Sequence, residues 1–174
     1  MDLTFLRHAA PMAKYQGCYN GHTNIAIDPK HFEYDKIASL AQRRYDCIYT
    51  SDLIRCRATL EQMQINDYIL DERLREVRFK PAIEGKRFAD IEQMEGYSPE
   101  LLTTQESWHA FICDEPLQTF RERIQHFLEE LPRDQTILIC THGGVIAMML
   151  SVLAPQSPAA SLAYLDHISL TISL

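Results

Sequence analysis

The chain has 174 residues, of which 46% are apolar and 24% charged, the mix of a soluble globular protein and not of a disordered one. The formal charge is −7, which argues against nucleic acid or an anionic membrane surface as the main partner. It leaves room for a small local basic pocket. The five cysteines include no C-x-x-C pair and read as free thiols of a reducing compartment. No apolar run reaches the roughly 18 residues of a membrane span. Met1-Asp2-Leu3 opens without a basic stretch, so no secretory signal is expected and the expected location is cytoplasmic.

The first strand is predicted at 3–6, followed by Arg7-His8. Phe32, Ile37, Leu40 and Ala41 recur at helical spacing and predict a helix over 30–44 behind Pro29. A second strand falls at 46–50, and Ser51 or Asp52 is placed to cap a helix running to about Gln64. Residues 68–70 form a short third strand. Residues 79–115, with Pro81, Gly85, Gly96, Pro99 and the lone Trp108, break the alternation and read as an insertion beside or over a site. A helix over 116–131 carries Leu117, Phe120, Ile124, Phe127, Leu128 and Leu131 on one face, and Pro132 stops it. The β-branched run 136–140 suits a strand covered on both faces. After Gly143-Gly144 a nearly all-apolar helix runs to Leu153, and 168–172 alternates as an edge strand. Strand and helix alternation implies an α/β chain forming one domain over 1–174. The architecture is a three-layer α/β/α sandwich with a mostly parallel central sheet and a small insertion.

Ligands of open α/β sheets bind beyond the carboxyl ends of the strands. Those ends carry Arg7-His8, then Ser51 to Arg55, then Leu74-Arg75-Glu76, then Thr141-His142-Gly143-Gly144. Two imidazoles, guanidinium groups and a carboxylate on one rim are what phosphoryl chemistry on histidine needs. Arg7 and Arg55 offer bidentate forks for phosphoryl oxygens. Gly143 lets the backbone of a helix start approach an anion. One imidazole, if neutral, attacks phosphorus; the second, if protonated, stabilises the transferring group. A protonated carboxyl donates to the leaving oxygen. No metal or other cofactor is required. Each residue alone has a structural reading: a core histidine, a surface arginine, one of 24 acids, a tight turn. Their joint occurrence at successive strand ends is what carries the inference.

Leu6-Arg7-His8, the run from Tyr49-Thr50-Ser51-Asp52 through Arg55 to Thr59, Leu74-Arg75-Glu76, and Thr141-His142-Gly143-Gly144-Val145-Ile146 together resemble the histidine phosphatase superfamily, the phosphoglycerate-mutase-like clan. The run from Tyr15 to Ile25 resembles its α-ribazole-phosphatase-like members, and Glu115 to Ile124 resembles the helix before their fourth strand. The resemblance implies His8 as the nucleophile that becomes phosphohistidine and Glu76 as proton donor. It implies Arg7, Arg55, His142 and Gly143 around the phosphate, and Asn20 and Gly21 on the substrate side. Lys14 stands where the family often has asparagine, and either adds charge to the pocket or points to water. Ala9 replaces the usual glycine after Arg-His, Ala10 an acidic residue, and 79–85 has one residue more than the usual loop.

The expected function is therefore a metal-independent phosphomonoesterase acting on a small phosphorylated metabolite, with α-ribazole 5′-phosphate the first candidate. The alternatives are a mutase-type phosphotransferase and a non-catalytic binder of a phosphorylated ligand. Other phosphatase chemistries fail on inspection. No cysteine is followed six positions later by arginine, and no Asp-x-Asp pair, Walker A loop or H-E-x-x-H occurs. Oligomeric state stays open, with a homodimer among the options.

Overall fold

The computed structural model of the chain describes residues 1–156 and 162–172. The strands are β1 (Asp2–Arg7), β2 (Cys47–Thr50), β3 (Ile69–Leu70), β4 (Thr136–Thr141) and β5 (His167–Thr171), in the order β3-β2-β4-β1-β5. The first four run parallel, and β5 returns antiparallel to β1. The mostly parallel sheet is thus as expected. β4 sits at its centre because a β-branched run can face apolar layers on both sides. β5 alternates exposed and half-buried residues, as an edge strand does.

Alternate residues of the central strands feed two cores. Leu3, Phe5, Ile137 and Ile139 pack under α5 (Leu117–Glu129) and α6 (Gly143–Leu153). Leu6, Leu138 and Cys140 pack under α1 (Tyr34–Gln42) and α2 (Ile54–Gln62). The period of two along each strand therefore produces the three layers.

Two predicted helices are shorter than expected. Residues 30–44 divide into a 3₁₀ turn at Pro29–His31 and α1, because Asp28 Oδ1 accepts the Lys30 N–H at 3.1 Å. Phe32 then goes extended and drops into the core. Neither Ser51 nor Asp52 is the N-cap residue of α2; Leu53 is. Ser51 Oγ accepts the Leu53 N–H, Asn24 Oδ1 accepts the Ile54 N–H at 2.9 Å, and Asp52 forms an ion pair with Arg75. At the far end Gln64 turns left-handed, with φ 61°.

Residues 79–115 hold α3 (Phe88–Ile91), a 3₁₀ turn at Pro99–Leu102 and α4 (Gln105–Ile112). A bridge between Phe79 and Cys113 closes the segment at its neck. Trp108 packs within about 6 Å, centroid to centroid, of Phe88, Phe111 and Tyr19. The Tyr19 backbone pairs with Gly85 and Lys86, so the segment is anchored to the chain that follows β1. No helix of the described residues is long and apolar enough to cross a membrane.

Ile139 is fully buried between two parallel partners. Ile139→Ala is expected to cost about 2–5 kcal/mol, read from chemical denaturation, because neither flanking strand can move in to fill the void.

Candidate active site

The carboxyl ends of β1, β2 and β4 meet at a small cavity of about 120 Å³. Arg7, His8, Asn20, Arg55 and Glu76 line it, with Tyr164 completing the wall. Of the sequence-predicted residues, five therefore share one pocket. Gly21, His142 and Gly143 stand just behind it, and Lys14 is not brought to it.

His8 follows β1 directly and is 6% exposed. Its Nδ1 lies 2.7 Å from the Ala9 carbonyl. A carbonyl only accepts, so Nδ1 carries the hydrogen, and Nε2 of the neutral ring holds a lone pair. Burial, then the nearby Arg55 and Arg7 charges, hold the imidazole well below its ordinary value. Ala9 has an ordinary backbone conformation and its N–H donates to Thr59 Oγ1 at 2.8 Å, so the methyl group in place of glycine fits without strain.

Arg55 is 1% exposed and sits in the first turn of α2. Its Nε donates to His142 Nδ1 at 3.1 Å, Nη1 to the Thr23 carbonyl, and Nη2 to the carbonyls of Asn20 and Gly21. These bonds wrap the 20–23 loop around the guanidinium. Glu84 Oε1 holds the same loop from outside through the Gly21 and Thr23 N–H groups. Gly21 is required there. A Cβ would come within 2.8 Å of the Glu84 carboxylate and of the Val77 carbonyl. Its role is to let the loop close, and it does not line the cavity.

His142 differs from expectation. It is wholly buried, and its Nδ1 accepts from Arg55, so Nε2 carries the hydrogen and donates to Ser51 Oγ at 3.0 Å. Burial, Arg55 and His8 hold it well below the usual imidazole range. The ring is neutral, not the imidazolium that the sequence reading allowed for. Its centroid lies 5.1 Å from that of His8, beneath the cavity floor. Gly143 packs against Arg7; a Cβ there would stand 3.3 Å from Arg7 Cζ.

Arg7 donates Nη1 to the Leu162 carbonyl and lies over the Tyr164 ring at 4.3 Å. Its Nε is buried with no partner among the described residues. Asn20 donates Nδ2 to the Tyr15 carbonyl, and its Oδ1 is buried without a partner among the described residues. An orphaned N–H on a residue that lines the cavity calls for a partner, which an acceptor entering from outside could supply.

Glu76 arrives from the turn after β3. Its two oxygens accept the Val77 N–H at 3.0 Å and the Gly144 N–H at 3.1 Å. Its backbone carbonyl accepts from His22 Nε2 and from Arg123, whose fork is closed on the Glu115 carboxylate. Arg75 and Asp52 clamp the same turn to the end of β2. Lys14 is exposed, with Nζ over the Tyr15 ring at 4.7 Å; the choice left open by the sequence falls to the solvent side. Tyr164, Ser51, His22, Glu84 and the Glu115–Arg123 pair are site residues that sequence reasoning did not assign. His22 directly follows the Asn20-Gly21 signal, whereas Tyr164 had no motif around it. Among the described residues no group of three or more His, Cys, Asp or Glu could hold a metal ion.

Residues 3–173 match the family described as histidine phosphatase superfamily (branch 1). The chain belongs to the histidine phosphatase superfamily. It is 24% identical over 165 residues to the adenosylcobalamin/alpha-ribazole phosphatase of Escherichia coli (strain K12), across 87% of this chain and 78% of that relative. The alpha-ribazole phosphatase from Shigella flexneri has a TM-score of 0.77 at 22% identity, covering 99% of this chain and 91% of the other. A phosphoglycerate mutase from Thermus thermophilus has a TM-score of 0.71 at 24% identity, with 98% and 92% covered. These structures share the superfamily fold with this chain.

The two depressed imidazoles link the site to stability. Below about pH 6.5 an unfolded chain takes up protons at positions 8 and 142 that the folded chain refuses. Unfolding then binds protons, so stability is full above that pH and falls as pH drops through it. Each ring contributes a slope approaching about 1.4 kcal/mol per pH unit. Denaturant unfolding between pH 7 and 5 is expected to show this decline, with a shallower slope in His142→Asn. Equal slopes in the two proteins would contradict it.

Proposed function

We propose that this chain is a phosphomonoesterase that works through a phosphohistidine at His8 without a metal. The observation that carries the reading is that His8, neutral with Nε2 unprotonated, lines one small cavity together with the guanidinium residues Arg7 and Arg55. Arg7 and Arg55, both lining the cavity, neutralise the phosphoryl oxygens. The His8 Nε2 lone pair forms the N–P bond as the P–O ester bond breaks, and the electron pair leaves on the alcohol oxygen. Glu76, protonated at that moment, gives its proton to this oxygen. Water then attacks phosphorus, the N–P pair returns to Nε2, and Glu76 recovers a proton from the water. Phosphate and alcohol leave, and the site is as it began. His142 contributes from below, fixing Arg55 Nε in place.

Similarity to alpha-ribazole phosphatases supports hydrolysis and makes α-ribazole 5′-phosphate the first substrate to try.

The purified protein is expected to hydrolyse phosphomonoesters in excess EDTA. His8→Ala should lose three orders of magnitude or more in kcat/KM. Glu76→Gln should lose about 10²–10⁴-fold on alkyl esters and less on p-nitrophenyl phosphate, whose leaving group needs no proton. Because His8 is held below its ordinary value, the acid limb of kcat/KM should fall below pH 6.5. No turnover above the His8→Ala background on any ester would assign the chain to ligand binding instead.

Gly144→Ala tests the seat of Glu76 separately. The added Cβ would overlap Glu76 Oε1, with no room for the carboxylate to stay. The expected loss on alkyl esters is tenfold or more, with inhibition by inorganic phosphate little altered.

A further inference from the structure

Tyr19, Glu76 and Phe79 line the anion cavity, and the same three residues line a second chamber of about 560 Å³. Trp108 and Ile112 of α4 form one wall of it, Ala147 and Met148 of α6 another. Glu76 stands where the two spaces join. If its proton goes to the ester oxygen, the scissile bond lies at that junction, and the rest of the alcohol extends into the chamber. No Lys or Arg lines the chamber among the described residues. Burial raises the Tyr19 phenol and pushes the Cys113 thiol up to about 12, so these lining groups stay neutral. A second carboxylate or phosphate on the alcohol would be desolvated here with no cation to meet it. Tyr19, Phe79 and Trp108 pack edge to face around the opening, an arrangement that accepts another flat ring.

Resting on the phosphatase reading, we infer that the chamber between α4 and α6 holds the leaving alcohol, and that this alcohol is an uncharged, largely apolar ring system. The 79–115 segment thereby selects the substrate, and phosphate esters carrying a second anionic group are poor substrates. Binding energy gained in the chamber, remote from phosphorus, serves to hold the ester oxygen against Glu76.

The test compares kcat/KM for 2-(1-naphthyl)ethyl phosphate, glycerol 3-phosphate and 3-phosphoglycerate. All three are primary alkyl esters, so leaving-group basicity differs little. The naphthyl ester is expected to exceed glycerol 3-phosphate about a hundredfold, with 3-phosphoglycerate lowest. Ala147 is exposed on α6 toward the chamber, so Ala147→Phe fills that space without disturbing the core and should bring the naphthyl-to-glycerol ratio toward one. Trp108→Ala should lower the same ratio. Equal rates on the three esters, or preference for 3-phosphoglycerate, would overturn the inference and leave the phosphatase reading standing. If no ester turns over above the His8→Ala background, the phosphatase reading fails instead. Calorimetric titration with 2-(1-naphthyl)ethanol then decides the chamber: heat of binding lost in Ala147→Phe supports it, and no heat in the wild type overturns it.

Discussion

A guanidinium buried to 1% exposure is the constraint around which this site is organised. A lone buried charge is expensive, and no carboxylate of this chain hydrogen-bonds to Arg55 among the described residues. Three backbone carbonyls and one imidazole take that place. All are neutral, so the positive charge is solvated without a direct counter-ion, and the carboxylates of Glu76 and Glu84 act on it only through space. A carboxylate partner would have neutralised the guanidinium directly. The carbonyl cradle instead leaves a net charge waiting, and it forces the 20–23 loop into one shape.

The neutral histidines follow from the same fact. Beside Arg55 and Arg7, a protonated imidazole would add a like charge to a buried place. Each ring is therefore pinned by a bond that settles its tautomer: a carbonyl for His8, a guanidinium N–H for His142. The two rings sit close together yet end with opposite nitrogens unprotonated. Only that of His8 belongs to a residue lining the cavity. His8 is thus distinguished from its neighbour by hydrogen bonding, and not by residue type.

Much of this was legible in the residues. The β-branched run of β4, the helix face with Phe120, Ile124 and Phe127, and the sequence of strand ends carrying Arg7-His8, Arg55, Glu76 and His142 all fix positions by local periodicity. What was not legible depends on partners distant in the chain. Ser51 looked like a cap, and the turn took Leu53 because Asn24 supplies the acceptor and Asp52 is held by Arg75. His142 looked like a phosphate ligand, and its tautomer could be read only once Arg55 was seen to point at it. Tyr164 stacks on Arg7 from a segment with no motif of its own. Lys14 could be placed only when the Tyr15 ring was seen to lie beneath it.

The pairing of β1 carries a temporal consequence. Its hydrogen-bonding neighbours on both sides are β4 and β5, which do not begin until Thr136 and His167. During ribosomal synthesis β1, which leads into His8, waits unpaired until β4 and then β5 have been made. Such long-range closure slows folding and leaves an early sticky segment for chaperones to shield.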